Sequence, residues 1–313
     1  MKGRSPKGNP KLGYTLAVAN ALISGIAIYV NTLGVKSFPS AILYTALKNG
    51  VVGVLLLGLF LALGRPRQRL RGLGRRDWGW LGVVALVGGS VPYALYFTGL
   101  RMTTAVTGAL GDHLQLVLVA VLAAVLLRER VTPLLWAGVA VLTAAALLGG
   151  GLGLIQWNAG TALILGATVL FAAEWVILKH LLQGRFDPIT VMTAKMTLGS
   201  LILLGYVALT GGLGAIGQLT ARQWAFVGTT GVILLAFTAT AVLAIRHARV
   251  TAVVAIGAAS PLVTIAIVLG VTHHVPLTHG VLGLLLTLGA VVAILVFGLR
   301  EERRQVRREE APA

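Results

Sequence analysis

Residues 48–58, KNGVVGVLLLG, and residues 195–205, KMTLGSLILLG, decide how this chain is built. They lie 147 positions apart, agree at four of eleven positions, and each opens on a lysine that leads into an apolar run. The same shift lays Thr104-Ala105 on Thr251-Ala252, and a shift of 145 lays Gly138 on Gly283. Chance likeness between Leu/Gly/Val-rich segments would explain any one of these matches. Three matches within two residues of one register point to a duplicated chain, the plan on which many transporters are built.

Composition says where such a chain can live. Of its 313 residues, 57% are hydrophobic and 11% charged, with 40 glycines and a mean hydropathy of +0.90. A soluble domain could not cover that much apolar surface, whereas lipid can, so the chain reads as an all-α integral membrane protein. Disorder is excluded by the apolar content, and collagen by glycines that keep no three-residue period. The chain has no cysteine, which removes disulfides, thiolate metal sites and cysteine nucleophiles.

Ten apolar stretches are long enough to cross a bilayer: 12–32, 40–63, 78–98, 103–127, 131–153, 158–179, 188–210, 223–245, 250–272 and 277–299. The basic residues test that count, because short cytoplasmic loops carry an excess of Lys and Arg. Alternating the connections between two sides puts 21 of the 26 on one side and leaves Lys36, Arg101 and Arg222 on the other, with Lys48 and Lys195 inside spans. A miscounted span in the middle would destroy that split. Both tails, 1–11 and 300–313, are therefore expected in the cytoplasm of an inner-membrane protein. The halves 12–153 and 158–299 would hold five spans each, and an odd number makes the second half enter from the opposite side. The expectation is ten transmembrane helices in two inverted five-helix repeats around a central cavity. The net charge of +17 is then topological, with attraction to lipid head groups secondary, and nucleic acid is not an expected partner. The basic start runs into a full-length span with no cleavage pattern, so the first span is expected to be retained.

Ionisable groups within spans are the best functional pointers, since a charge at the bilayer centre costs at least about 2.5–3.5 kcal/mol. Lys48, Asp112 and Lys195 fall near the middle of spans two, four and seven, and Glu174 five residues before the end of span six. For the lysines two roles stay open, ligand binding or a pairing that ties the repeats together. Asp112 is followed by His113 and Gln115, an acid, an imidazole and an amide within about one turn; residues 112 and 115 share a face and 113 points about 100° away. Asp112 and Gln115 are expected at the cavity, and His113 either there or bonded to a neighbouring helix. Glu174 is either functional or paired with Lys179. Both acids are candidate proton carriers.

Gly88-Gly89-Ser90-Val91-Pro92 and Ala259-Ser260-Pro261 interrupt spans three and nine. A proline frees carbonyls that need polar partners in protein or in a wet cavity, which makes Pro92 and Pro261 hinge candidates and Ser260 a pocket candidate. Tyr93, Tyr96 and Trp175 could offer rings to a substrate. Tyr14, Trp78, Trp80, Trp136, Trp157 and Trp224 lie nearer span ends and read as interfacial anchors. His273, His274 and His279 lack a nearby carboxylate, so no metal is assigned, and Gly149–Gly153 lacks the strand and lysine of a phosphate loop. No cofactor and no ATPase module are implied. Transport, if that is the function, must run on a gradient, on exchange or downhill.

Several segments together resemble the EamA-type branch of the drug/metabolite transporter superfamily. They are ALKNGVVGVLLL (46–57), YALYFTGLRMTTAVTGAL (93–110), LLRERVTPLLWAGVAVLTAAALL (126–148) with its acidic turn Glu129-Arg130-Val131-Thr132, and FTATAVLAIRHARVTAVVAIGAASPLVTIAIVLG (237–270) with Pro261 at the usual proline of span nine. Gly111-Asp112-His113-Leu114-Gln115 stands where a proline-containing apolar stretch is more usual, and His274 replaces a second acidic turn. The resemblance implies a ten-helix secondary transporter that exports small metabolites, such as amino acids, or amphipathic drugs by alternating access. Its expected partners are a small-molecule substrate and the lipid bilayer, with protons as a candidate coupling ion. A flippase for lipid-linked substrates and an intramembrane enzyme are the alternatives; hydrolysis would need a nucleophile or metal centre at depth, which the sequence does not offer.

Overall fold

The computed structural model describes residues 9–63, 70–127, 158–184 and 186–272, with isolated positions at 137, 140, 141 and 289. Every regular element among these residues is helical. Helices α1 (Pro10–Lys36), α2 (Ala41–Ala62), α3 (Arg75–Met102), α4 (Ala105–Leu126), α5 (Ala159–Gln183), α6 (Pro188–Leu209), α7 (Ala221–His247), α8 (Val250–Gly257) and α9 (Ser260–Thr272) follow in order. Seven helical segments among them are long and apolar enough to cross a membrane, α8 and α9 counting together as one. Eight of the ten expected spans coincide with these helices; 131–153 and 277–299, apart from those isolated positions, lie outside the described residues, as do His273, His274 and His279.

The helix starts are written in the sequence. Asn9, Ser40, Thr104, Asn158, Asp187 and Thr220 each accept the backbone N–H three residues on, from Leu12, Leu43, Thr107, Thr161, Thr190 and Gln223. Each cap satisfies one of the donors that a first turn leaves open. Pro10 and Pro188 stand in first turns, where the missing N–H has no bond to lose.

Contacts fix the direction of each helix. Asn9 meets His247 and Asn20 meets Phe237, so α1 and α7 are antiparallel. Thr193 reaches Leu56 and Thr197 reaches Gly53, so α2 and α6 are antiparallel. Asn158 reaches Met102 while Gly88 faces Glu174, so α3 and α5 are antiparallel too. One end of the bundle thus carries Asn9 and His247, and the other carries Ser37, Met102, Asn158 and Gln223. α1 and α3 run from the Asn9 face to the Ser37 face; α5 and α7 run back. α2 and α4 run toward the Asn9 face; α6 and the α8–α9 pair run away from it.

Between helices in lipid the driving force is close packing rather than escape from water, and small residues permit it. A Cβ on Gly199 would stand 2.5 Å from the backbone of Gly89, and one on Gly160 2.7 Å from the Cβ of Met102. Gly13 packs against Ala248, and Gly25 against Ser260 and Val263, in the same way. Leu55, Leu57 and Leu59 of α2 and Leu201 and Ile202 of α6 face outward, as lipid-facing surfaces do. Trp78 and Trp224, 48% and 44% exposed near helix starts, sit where interfacial anchors belong. Tyr14 corrects the expectation: only 4% exposed, it belongs to the core beneath α7. Trp136 and Trp157 lie outside the described residues.

Candidate functional site

The interruption in α3 takes a specific form. Residues Ala85–Ser90 widen into a π-helical turn, and Ser90 donates to the carbonyls of Ala85 and Leu86. Pro92 then sits in the first turn of the continuing helix. Such turns inside helices often mark functional sites. The carbonyl of Gly89 is met by Asn49 Nδ2 of α2 at 3.1 Å, while Asn49 Oδ1, fully buried, has no partner among the described residues. Gly88 and Gly89 form a notch. Glu174 of α5 lies over Gly88, where a Cβ would stand 2.5 Å from its Cδ, and the α6 backbone at Lys195 presses on Gly89.

That notch holds a buried ion pair between Lys195 Nζ and Glu174 Oε1. The expected alternative partner, Lys179, points elsewhere: its ammonium donates to the carbonyls of Ile245 and Ala248 at 2.7 Å, closing the C-terminal end of α7. Position i+5 lies about 140° around the helix from position i, so Lys179 and Glu174 leave α5 on different faces.

Lys48 is held differently. Only 1% exposed, it donates to Asn31 Oδ1 at 3.0 Å, and the same oxygen accepts from Tyr44 Oη at 2.7 Å. Its ammonium stands 3.5 Å from the centre of the Phe97 ring, with Tyr44 and Tyr93 at 5.4 and 5.7 Å. Rings at such distances attract a cation, most strongly where water is excluded. The Tyr93 ring lies between the two lysines, since Lys195 Nζ is 5.8 Å from its centre. Among the described residues no carboxylate pairs with Lys48.

Both arrangements border one cavity with about 1200 Å³ of atom-free space, its mouth included. α1 contributes Asn20, Ser24 and Asn31; α2 and α6 contribute the lysines. α3 supplies Tyr93, Tyr96 and Phe97, α5 supplies Phe171, Glu174 and Trp175, and α7 supplies Phe237 and Thr238. Tyr93 and Phe171 meet edge to face with centroids 5.1 Å apart, a geometry that fixes both rings. The apolar wall with a few converging polar groups has the character of a small-molecule site.

Of the residues singled out by sequence, Lys48, Tyr93, Tyr96, Gln115, Glu174, Trp175 and Lys195 come together at this cavity. Ser260 does not join them in the same way: it starts α9, fully buried, with its carbonyl against Gly25. Pro261 follows the break between α8 and α9. Asp112 and His113 belong to α4, one turn from Gln115, and their side chains lie outside the described residues. Among the described residues no group of three or more His, Asp or Glu is placed to hold a metal. Sequence reasoning missed Asn20, Asn31, Phe97, Phe171 and Thr238. The signal for the asparagines was present: Asn20, Ser24, Ala27 and Asn31 repeat at helical spacing and draw a small or polar stripe along an otherwise apolar span.

Comparison with known proteins adds three findings. A family model described as the EamA-like transporter family matches twice in tandem, over residues 11–149 and 158–296. A solved structure described only as a crystal structure of a protein shares the fold at a TM-score of 0.73, with 16% identity, covering 92% of this chain and 99% of its own. No curated protein matches the chain significantly.

Proposed function

The chain belongs to the EamA-like transporter family, and from that premise we propose that it is an exporter of small metabolites such as amino acids or amphipathic drugs. In this reading, residues 12–153 and 158–299 form two inverted five-helix repeats, ten spans in all, that rock by alternating access around the cavity. The observation that carries it is that cavity, which gathers two buried lysines, one carboxylate and a wall of rings from helices of both halves.

Several observations support the inverted relation. The first four helical spans of the second half run opposite to those of the first. Partners also exchange in pairs: α1 packs on α7 as α5 packs on α3, and α2 packs on α6. The end contacts repeat at opposite faces. Lys36, in the last turn of α1, donates to the Thr103 carbonyl that ends α3, and Lys179 of α5 donates to the Ala248 carbonyl that ends α7. Asn158 ties the start of α5 to Met102, and Asn9 ties the start of α1 to His247.

Orientation follows from charge. Arg71, Arg75, Arg76, Arg246 and Arg249 gather at the Asn9 face, which this reading makes the cytoplasmic face in the inner membrane, with both tails assigned to that side. Asp112 and Glu174 are the acids proposed to carry protons. Proteoliposomes loaded with radiolabelled phenylalanine or 3-phenylpropionate, with and without an imposed pH gradient, test the reading. Flux above that of protein-free vesicles is expected, and Asp112→Asn should abolish its response to the pH gradient while the protein stays folded. Absence of protein-dependent flux for both solutes would count against transport of this class. An unchanged pH response in Asp112→Asn would remove that residue from coupling.

A further inference from the structure

The two halves hold their lysines by one scheme and differ in a single charge. In each, a residue on the first helix of the half reaches the lysine on the second: Asn31 of α1 to Lys48 of α2, and Glu174 of α5 to Lys195 of α6. In the second half that residue is a carboxylate, and in the first it is a neutral amide. The described residues lining the cavity therefore carry two cations and one anion.

We propose that Lys48 is the anchor for the carboxylate of the transported solute, which supplies the counter-charge that Glu174 gives to Lys195 and that no described residue gives to Lys48. This inference rests on the transporter reading and narrows its substrate class. Its observations are independent of any pH argument. An ammonium buried to 1% exposure needs compensation, and here it receives one amide oxygen and three ring faces. Those partners favour a cation without neutralising it. A carboxylate entering the cavity would form a charge-assisted bond in a site shielded from water, where such bonds are strongest. The body attached to that carboxylate would lie against Tyr93, Tyr96, Phe171, Trp175 and Phe237. The hydroxyl of Thr238, buried on the same wall with no partner among the described residues, offers a further polar contact. The solute class is a small amphipathic carboxylate with an aromatic or comparably bulky apolar body, and an ammonium group on it is dispensable.

Three probes with one ring and different ends test this on the purified full chain by calorimetry: 3-phenylpropionate, phenylalanine and phenethylamine. 3-Phenylpropionate is expected to bind at least as tightly as phenylalanine, and phenethylamine at least tenfold more weakly than either. Lys48→Met should lose the carboxylate probes. Because Lys48→Met takes from Asn31 Oδ1 one of its two donors and from the rings around it their cation, and can thereby impair folding, Asn31→Asp is the second arm. It gives Lys48 a resident carboxylate in exchange for the bond from Asn31 to the Ala27 carbonyl, which a carboxylate oxygen cannot make, and should weaken 3-phenylpropionate at least tenfold in a protein that remains folded at the temperature of the titration. Binding of phenethylamine as tight as that of 3-phenylpropionate would overturn the proposal. So would no binding of 3-phenylpropionate, or unchanged binding in folded Asn31→Asp. Transport itself stands or falls separately, on whether the cavity is reached in turn from both faces of the membrane.

Discussion

Glu174 and Lys195 are the residues on which the site depends most. Breaking a buried pair by removing one charge leaves the other unpaired and costs about 3–5 kcal/mol, whereas replacing both by apolar groups is often neutral. Glu174→Gln is therefore expected to lower the thermal unfolding midpoint in detergent, and Glu174→Met with Lys195→Met to restore most of it without restoring flux. A Glu174→Gln protein as stable as wild type would contradict the pairing. The ionisable residues themselves were legible, because a charge inside an apolar run stands out by type alone. Their partners were not. Lys179 is nearer in sequence to Glu174 than Lys195 is, and only the packing of α5 and α6 against the Gly88–Gly89 notch brings the distant lysine in. Asn31 escaped notice for a related reason, since its value comes from facing Lys48 and Tyr44 across a helix pair.

The elements owe their closeness to glycine. A methyl group on Gly199 would meet the backbone of Gly89, which cannot swing aside, while Gly58 and Gly205 have nothing within 4 Å of the same position. Gly199→Ala should destabilise by about 1–3 kcal/mol, the usual range for overpacking. Gly58→Ala and Gly205→Ala should be neutral or stabilising by up to about 1 kcal/mol, because alanine is the better helix former. Thermal unfolding of the three variants checks the contrast, and equal midpoints would contradict the α3–α6 contact. Eight spans and the break at Ser90 could be read from apolar runs and from Pro92. The π-turn could not, since it depends on where Ser90 finds its acceptors and on Asn49 meeting the carbonyl of Gly89. The matched ties at the two faces yield a prediction about sidedness. Asn158→Ala removes the tie to Met102 and should expose the cavity more to the Ser37 face; His247→Ala removes the tie to Asn9 and should expose it more to the Asn9 face. Thiol reactivity of a cysteine placed in the cavity reads both, and identical shifts in the two variants would contradict the account.

At the scale of the whole molecule, duplication was the most legible feature, because a lysine repeated 147 residues on survives any detail of packing, and the family model matches twice in tandem. The cavity was only partly legible: rings and charges on five helices converge through tertiary contacts that no single span encodes. The central claim is that this cavity is an aqueous chamber between the halves, opened by turns to each side. The absence of native cysteine permits a direct measurement. Thr238→Cys, in oriented proteoliposomes, is treated with a membrane-impermeant thiol reagent added from one face and then, in separate samples, from the other. The account predicts labelling from either face, with 3-phenylpropionate protecting in both cases. Labelling from a single face under every condition, or reaction only with a lipid-soluble reagent, would contradict it.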